Sequence, residues 1–374
     1  MKILIQAIKV MGGFIAMLFL LAPLSVQAQN KVVVVPLFGN DGKPLKNIVT
    51  VAKSNGMFTD PVAAVNSITD ASASNPYLVV IGPGIYTITS TLQMKEYVDI
   101  AGCGENVTTV TGALSTCSYV SSAIISGADH CALTSLNVEN TGGSSYSIAL
   151  YNRNASPVIR NLSATASGGT YNYCVYNYDS SSPTMTNVTA TGSGGETSIG
   201  VYNKTWSWPT MAEVTATASG GTEFNYAIRN SSVSSPTMTN VTATASGGET
   251  SIGIYNWSSS RPVMIDVTAT ASGGSDNFGG FNSTSSPTMI NVAVTASGGE
   301  HSYGLRNYNS SPVIRRSTLE GATYGLYSYN SSATVSQSTI KNGLSHGSGG
   351  TNTCVACDNG SGTALAANCT DPTP

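Results

Sequence analysis

Ser234–Gly248 reads SSPTMTNVTATASGG, and Ser181–Gly195 repeats it with one glycine in place of an alanine. Looser variants set prolines at Pro157, Pro183, Pro209, Pro236, Pro262, Pro287 and Pro312, at intervals of 26, 26, 27, 26, 25 and 25 residues. A steady period of this size marks a solenoid, in which each unit buries its apolar side only against its neighbours. Each period holds two β-like runs, such as TMTNVTAT and SIGVYN, between turns of Ser, Gly, Pro and Asn. No part of it has helical periodicity.

Aligned on the prolines, the copies become columns, because side chains alternate faces along a strand and equivalent residues stack about 4.8 Å apart. One column runs Ile159, Met185, Met211, Met238, Met264, Met289, Ile314, Val335; another runs Leu162, Val188, Val214, Val241, Val267, Val292, then Ser317. A third is Ala164, Ala190, Ala216, Ala243 and Ala269, growing to Val294 and Leu319 as its neighbour shrinks to Ser317. Such compensation in volume is what one packed interior requires. On the other run, Leu150, Val175, Val201, Ile228, Ile254, Leu305 and Leu326 form a fourth inward column, with Gly280 its gap. Strict alternation predicts that Ile148, Tyr173, Ile199, Tyr226, Ile252, Phe278, Tyr303 and Tyr324, two residues earlier, also face inward.

The step of three from Met185 to Val188 predicts a bend at Asn187, a residue type that tolerates left-handed backbone. Asn161, Asn240 and Asn291 stack at this corner, with Glu213 and Asp266 as substitutes, and Asn152, Asn177, Asn203, Asn230, Asn256, Asn282 and Asn307 form a second ladder. Three short strands and three corners per coil predict an all-β parallel β-helix.

Ahead of the solenoid, Lys2 and Lys9 precede the apolar stretch Phe14–Leu24, and Val26-Gln27-Ala28 follows it. This pattern predicts a secretory signal over 1–28, cut after Ala28; the run is short for a membrane span of about 20 residues. Residues 29–76 hold the strand-like KVVVVPLF and then TDPVAAVNSI, where Asp60 as N-cap and Pro61 at the first helical position predict a short helix that covers the solenoid's open end. Coils of about 26 residues are expected over 77–342, and 343–374 reads as a Gly/Ser/Cys-rich C-terminal cap or tail.

The stretch VVIGPGIYTIT (79–89), followed by YVDIAGCGENVT (97–108), resembles the first coils of the pectin lyase-like superfamily, which includes pectin methylesterases. With the repeats, the resemblance covers about Ala63–Asn342, and the wording is most similar to secreted bacterial right-handed parallel β-helix repeat proteins. It implies the right-handed parallel β-helix fold. It also implies polysaccharide chemistry where clustered Asp, with Arg or Lys, stands on one sheet's outer face. The repeats supply only Asp179, Asp266 and Asp276 with scattered Glu, and Asp266 occupies the asparagine corner. His130 and His301 have no Ser or Cys partner at a distinctive spacing, so no nucleophilic triad is indicated. No catalytic residue, metal ligand or cofactor is assigned, and the protein is expected to be non-catalytic.

The whole chain carries 16 basic and 19 acidic residues, a formal net charge of −3, which does not suit nucleic acid. Seven cysteines fall as Cys103, Cys117 and Cys131, a solitary Cys174, and Cys354, Cys357 and Cys369; in an exported chain, disulfides are expected within each cluster. The tail cysteines with His346 do not have a convincing zinc spacing.

Two outward columns carry the functional expectation. Tyr151, Tyr176, Tyr202, Arg229, Tyr255, Phe281, Arg306 and Tyr327 form a ladder, flanked by the small residues Ala149, Cys174, Gly200, Ala227, Gly253, Gly279, Gly304 and Gly325, read here as an outward groove. Such a ladder offers a platform for an extended extracellular polysaccharide, although Tyr and Arg also stack on each other without any ligand. The alternatives are a polysaccharide lyase or hydrolase and, third, ice binding by the paired threonines Thr165, Thr191, Thr217, Thr244, Thr270 and Thr295 with Thr189, Thr215, Thr242 and Thr268. Thr is also simply a good exposed strand former.

Overall fold

The structure is a computed structural model that describes residues 47–347 and 349–370. The expected signal over 1–28 and the strand-like KVVVVPLF lie outside them. The described chain winds into an all-β solenoid of about 11 turns, with parallel pairing between successive coils.

One face, the threonine sheet, is built from Val158–Ser167, Thr184–Ser193, Thr210–Ser219, Thr237–Ser246, Val263–Ser272 and Thr288–Ser297, each paired with the next. The opposite face, the aromatic sheet, stacks Tyr146–Arg153, Tyr171–Tyr178, Thr197–Lys204, Phe224–Ser231, Thr250–Trp257, Asp276–Ser283, His301–Tyr308 and Tyr324–Tyr329. Pairing extends beyond the repeats: Asn47–Val51 pairs with Tyr77–Ile81, and Thr334–Ser336 pairs with Thr353–Val355.

The Met, Val and Ala columns meet the Leu150–Leu326 column in one core. Full burial of a Val such as Val241 stabilises by about 1.5–3 kcal/mol. At the one gap in the fourth column, a methyl added to Gly280 would lie 2.8 Å from Leu305 Cδ1 and 3.5 Å from Val294 Cγ1. Those two side chains therefore fill the space that Gly280 leaves.

The bend predicted at the asparagine corner is present. Asn161, Asn187, Glu213, Asn240, Asp266 and Asn291 all have φ between 48 and 55°, and the pairing register skips each of them on its way from one leg to the next. A second bend, unforeseen in the sequence, lies in the aromatic sheet at the small-residue column. There the register skips Cys174 between Tyr173↔Ile199 and Val175↔Val201, and Cys174 and Val175 both belong to the core. Two successive inward residues reverse the alternation. The small column therefore faces inward rather than forming an outward groove, and the Ile148–Tyr324 row faces outward rather than into the core. Smallness is required because the opposite sheet is close. A methyl on Gly200 would lie 3.0 Å from Thr217 N, and one on Gly279 2.6 Å from Thr295 N.

Polar columns inside the coil pair from one coil to the next, with Asn152 Oδ1 at the first rung buried without a partner. The amide Nδ2 of Asn152 donates to Asn177 Oδ1 at 2.8 Å, and the pattern repeats through Asn203, Asn230, Asn256 and Asn282 to Asn307. Each bond of this kind contributes about 1 kcal/mol net and would cost more if broken in the interior. A neighbouring column alternates Asn172, Asn225 and Asn277 with Ser198, Ser251 and Ser302. Each Asn bonds a glycine carbonyl of its own coil and another one coil on: Asn172 Nδ2 donates to Gly169 O and Gly194 O, and Ser198 Oγ then takes up Gly194 O.

The helix forms at Pro61–Ser67, with Asp60 accepting the Val62 N–H at 2.9 Å, and it buries Ala64 and Val65 against the first coils. The tail joins Cys354 to Cys369, leaving Cys357 a free thiol. The expected pairing near the first coils is corrected: Cys103, Cys117 and Cys131 are all free thiols, as is Cys174. Cys131 and Cys174 lie in the apolar core. No helix among the described residues is long and apolar enough to cross a membrane.

Candidate functional site

Because of the second bend, two outward rows share the aromatic sheet's outer face, and they pack on each other as a second hydrophobic cluster. The ladder is not uniformly open. Tyr151, Tyr176 and Tyr202 are buried, whereas Arg229, Tyr255, Phe281, Arg306 and Tyr327 are half-buried. Three of the eight ladder residues therefore have no face to offer a ligand.

The closed end is sealed by Tyr119, which precedes the short 3-10 turn Val120–Ser122 and meets the Tyr176 ring edge-on at 5.2 Å. Tyr176 in turn stacks on Tyr202 at 4.9 Å, and Tyr173 closes on both. Burial raises the phenol pKa values here, to about 12 for Tyr151 and Tyr226 and further for Tyr173 and Tyr176. The charged phenolate is disfavoured in so apolar a setting.

Arg229 marks the transition, its guanidinium 5.0 Å from the Tyr202 ring and 5.1 Å from Tyr226. Beyond it Tyr255 stacks on Phe281 at 5.0 Å, and Arg306 lies 5.0 Å from Phe278 and 4.8 Å from Phe281. Cation–π contacts of this kind contribute about 0.5–2 kcal/mol each. Both Arg Nε atoms are buried and make no hydrogen bond.

At the open end a cleft of about 180 Å³ is lined by Asp276, Phe278, His301, Tyr303, Arg306 and Tyr327. Asp276 and His301 face each other in register on adjacent strands, Oδ1 to Nδ1 at 2.8 Å, and both remain well exposed. Tyr303 stacks on Tyr327 at 4.9 Å, and partial burial raises its phenol pKa. The cleft thus joins an acid–imidazole pair, a guanidinium and two phenols above an aromatic floor. A histidine–carboxylate pair can carry a proton, and a guanidinium can hold an anionic or hydroxyl oxygen. His301 looked solitary in the sequence; the spacing from Asp276, one coil of 25 residues, was the available signal.

The remaining sequence candidates do not converge on this cleft. Asp179 pairs with Arg153 at 3.6 Å, Asp266 accepts from Asn291 Nδ2 at its corner, and His130 stacks on Tyr97. The threonine rows lie in register on the other sheet, with Thr189, Thr215, Thr242 and Thr268 exposed. No group of three or more potential metal ligands occurs among the described residues.

No protein-family model matches the sequence, and no curated protein matches it. Among solved structures the chain is similar to the A-module of mannuronan C-5 epimerase AlgE4 from Azotobacter vinelandii, at 14% identity over 80% of this chain and 91% of that one, with a TM-score of 0.59. The A-module of AlgE6 from the same organism is similar at 12% identity over 79% and 88%, TM-score 0.54. A pectin methylesterase from Aspergillus niger gives 15% identity over 71% and 86%, TM-score 0.49. The shared architecture is the right-handed parallel β-helix.

Proposed function

We propose that this is a secreted or cell-surface protein that binds an extended polysaccharide along the open half of the aromatic face, from Arg229 to Tyr327. The burial gradient carries this reading. Stacking alone accounts for the closed half, but it leaves Tyr255, Phe281, Arg306 and Tyr327 half-open beside the Asp276–His301 pair. Rings spaced by one coil suit a ligand that is itself a linear repeat, so weak contacts accumulate with ligand length. Affinity for oligosaccharides is expected to rise with chain length in calorimetric titration. Tyr327→Ala should weaken it while the melting temperature holds. Lower melting temperatures with unchanged affinities would mean that the open half also serves only itself.

The Asp276–His301 pair favours a second reading, an acid–base enzyme acting on the same polymer. Release of unsaturated or reducing products by the parent, and none by His301→Gln, would decide for it.

A further inference from the structure

The chain contains three tryptophans, and all three are exposed, at 57% for Trp206, 53% for Trp208 and 41% for Trp257. Folding does not ask for them. Trp206 is the second residue of a left-handed pair, φ 57 and 63°, that recurs as Asp179-Ser180, Ser232-Val233 and Ser258-Ser259 in other coils. A bulky ring is costly in that conformation and serine is cheap. At the position of Trp208, Ser156, Ser182, Ser235 and Ser286 each use Oγ to receive the next coil's backbone N–H. Trp208 has no hydroxyl with which to do so. Its ring is nevertheless fixed, because Nε1 donates to Val233 O at 2.9 Å.

Trp206 and Trp208 lie in the turn after Thr197–Lys204, and Trp257 ends Thr250–Trp257, two coils further on. They join the open ladder: Trp257 stands two residues from Tyr255 on one strand, and the Arg229 guanidinium lies 5.8 Å from Tyr255 and 5.9 Å from Trp257. Exposed rings gathered in this way mark a binding surface.

We infer that Trp206, Trp208 and Trp257 are a further sugar-binding platform, on which a polysaccharide seated in the Tyr255–Tyr327 half continues beyond the cleft; this rests on the polysaccharide reading above. The chain neighbours of the indoles are rich in hydroxyls: Thr205 and Ser207 flank Trp206, Ser207 precedes Trp208, and Ser258 follows Trp257. That combination matches a sugar ring, with its apolar face and hydroxyl rim. A membrane surface would instead call for a dense basic cluster, of which Lys204 and Arg261 are too few. Trp206 and Trp208 stand two coils from Trp257, so the rings are set along the solenoid axis, as a polymer requires.

Because no other tryptophan exists in the chain, intrinsic indole emission reports this platform alone. The full chain would be titrated with polygalacturonate, alginate and mixed-linkage β-glucan and with short oligosaccharides of each, by calorimetry and fluorescence together. Long chains that bind are expected to shift the emission. A Trp206→Ser, Trp208→Ser variant should lose at least about tenfold in affinity for them, while short oligosaccharides bind as before. Ser180 and Ser259 occupy the Trp206 position, and Ser182 and Ser235 the Trp208 position, in other coils, so a melting curve superimposable on the parent's is expected. Binding with unchanged emission and unchanged variant affinity overturns the platform and leaves the cleft reading standing. Absence of binding by all three polymers removes both.

Discussion

The two halves of the aromatic face use one column of side chains to opposite ends. At Tyr151, Tyr176 and Tyr202 the rings are closed over by Tyr119 and Tyr173 and behave as a second core, outside the coil. From Tyr255 to Tyr327 the same column has no lid, and its last members, Arg306 and Tyr327, share a cleft with Asp276 and His301. What a ladder residue does is thus set by what lies over it. The column position alone does not decide between stability and binding.

The largest expected effect tests this contrast. Tyr176→Ala should cost about 3–5 kcal/mol in chemical denaturation, as for other large buried aromatic truncations, whereas Tyr327→Ala should cost under about 1 kcal/mol. Equal losses would erase the distinction between the halves.

Alkaline pH provides a second test. The folded phenols of Tyr151 and Tyr226 ionise at about 12, above the ordinary value of 10.0, so the unfolded chain gives up its protons first. Their contribution is intact below pH 10 and is lost as pH climbs towards 12. Melting temperature should fall steeply across that window, and a Tyr151→Phe, Tyr226→Phe variant should flatten the fall. An unchanged slope in the variant would mean that the closed half is wetter than its burial implies.

A smaller effect belongs to the core beneath. Val294→Ala should cost about 1–3 kcal/mol, because Gly280 opposite has no side chain to move into the space. Part of that loss should return in Gly280→Ala, Val294→Ala. Strict additivity in this cycle would deny that the two sites share one volume.

The smallest stability change is expected at the open end. His301→Gln removes an exposed pair and should alter stability by no more than about 0.5 kcal/mol, even where ligand affinity drops. A loss of several kcal/mol would turn the Asp276–His301 pair into a structural strut.

The sequence made the inward columns legible because Met185, Val188 and Ala190 recur at a fixed phase. It also made the bend at Asn187 legible, because a step of three cannot keep both apolar residues on one face. The reversal at Cys174 was hidden, since a small residue facing a crowded opposite strand looks the same on paper as one facing solvent. That one reversal misplaced the Tyr173 row and made Tyr176 look open. The cleft was hidden for a different reason: Asp276 and His301 sit in a column where neither neighbour type repeats, so only their separation of one coil links them.

The alternation of Asn172, Asn225 and Asn277 with Ser198, Ser251 and Ser302 makes two coils, rather than one, the unit of inheritance. Each Asn amide reaches over the glycine that opens the next coil, and a methyl on Gly195 or Gly248 would lie 2.8 or 2.7 Å from it. Removing a single coil would bring two like members of the series together and leave a mismatch in the polar interior. Removing or duplicating two would leave the lattice in phase. A solenoid of this kind can change its length in evolution, and with it the length of its aromatic face, in steps of about 52 residues and with no new packing to invent.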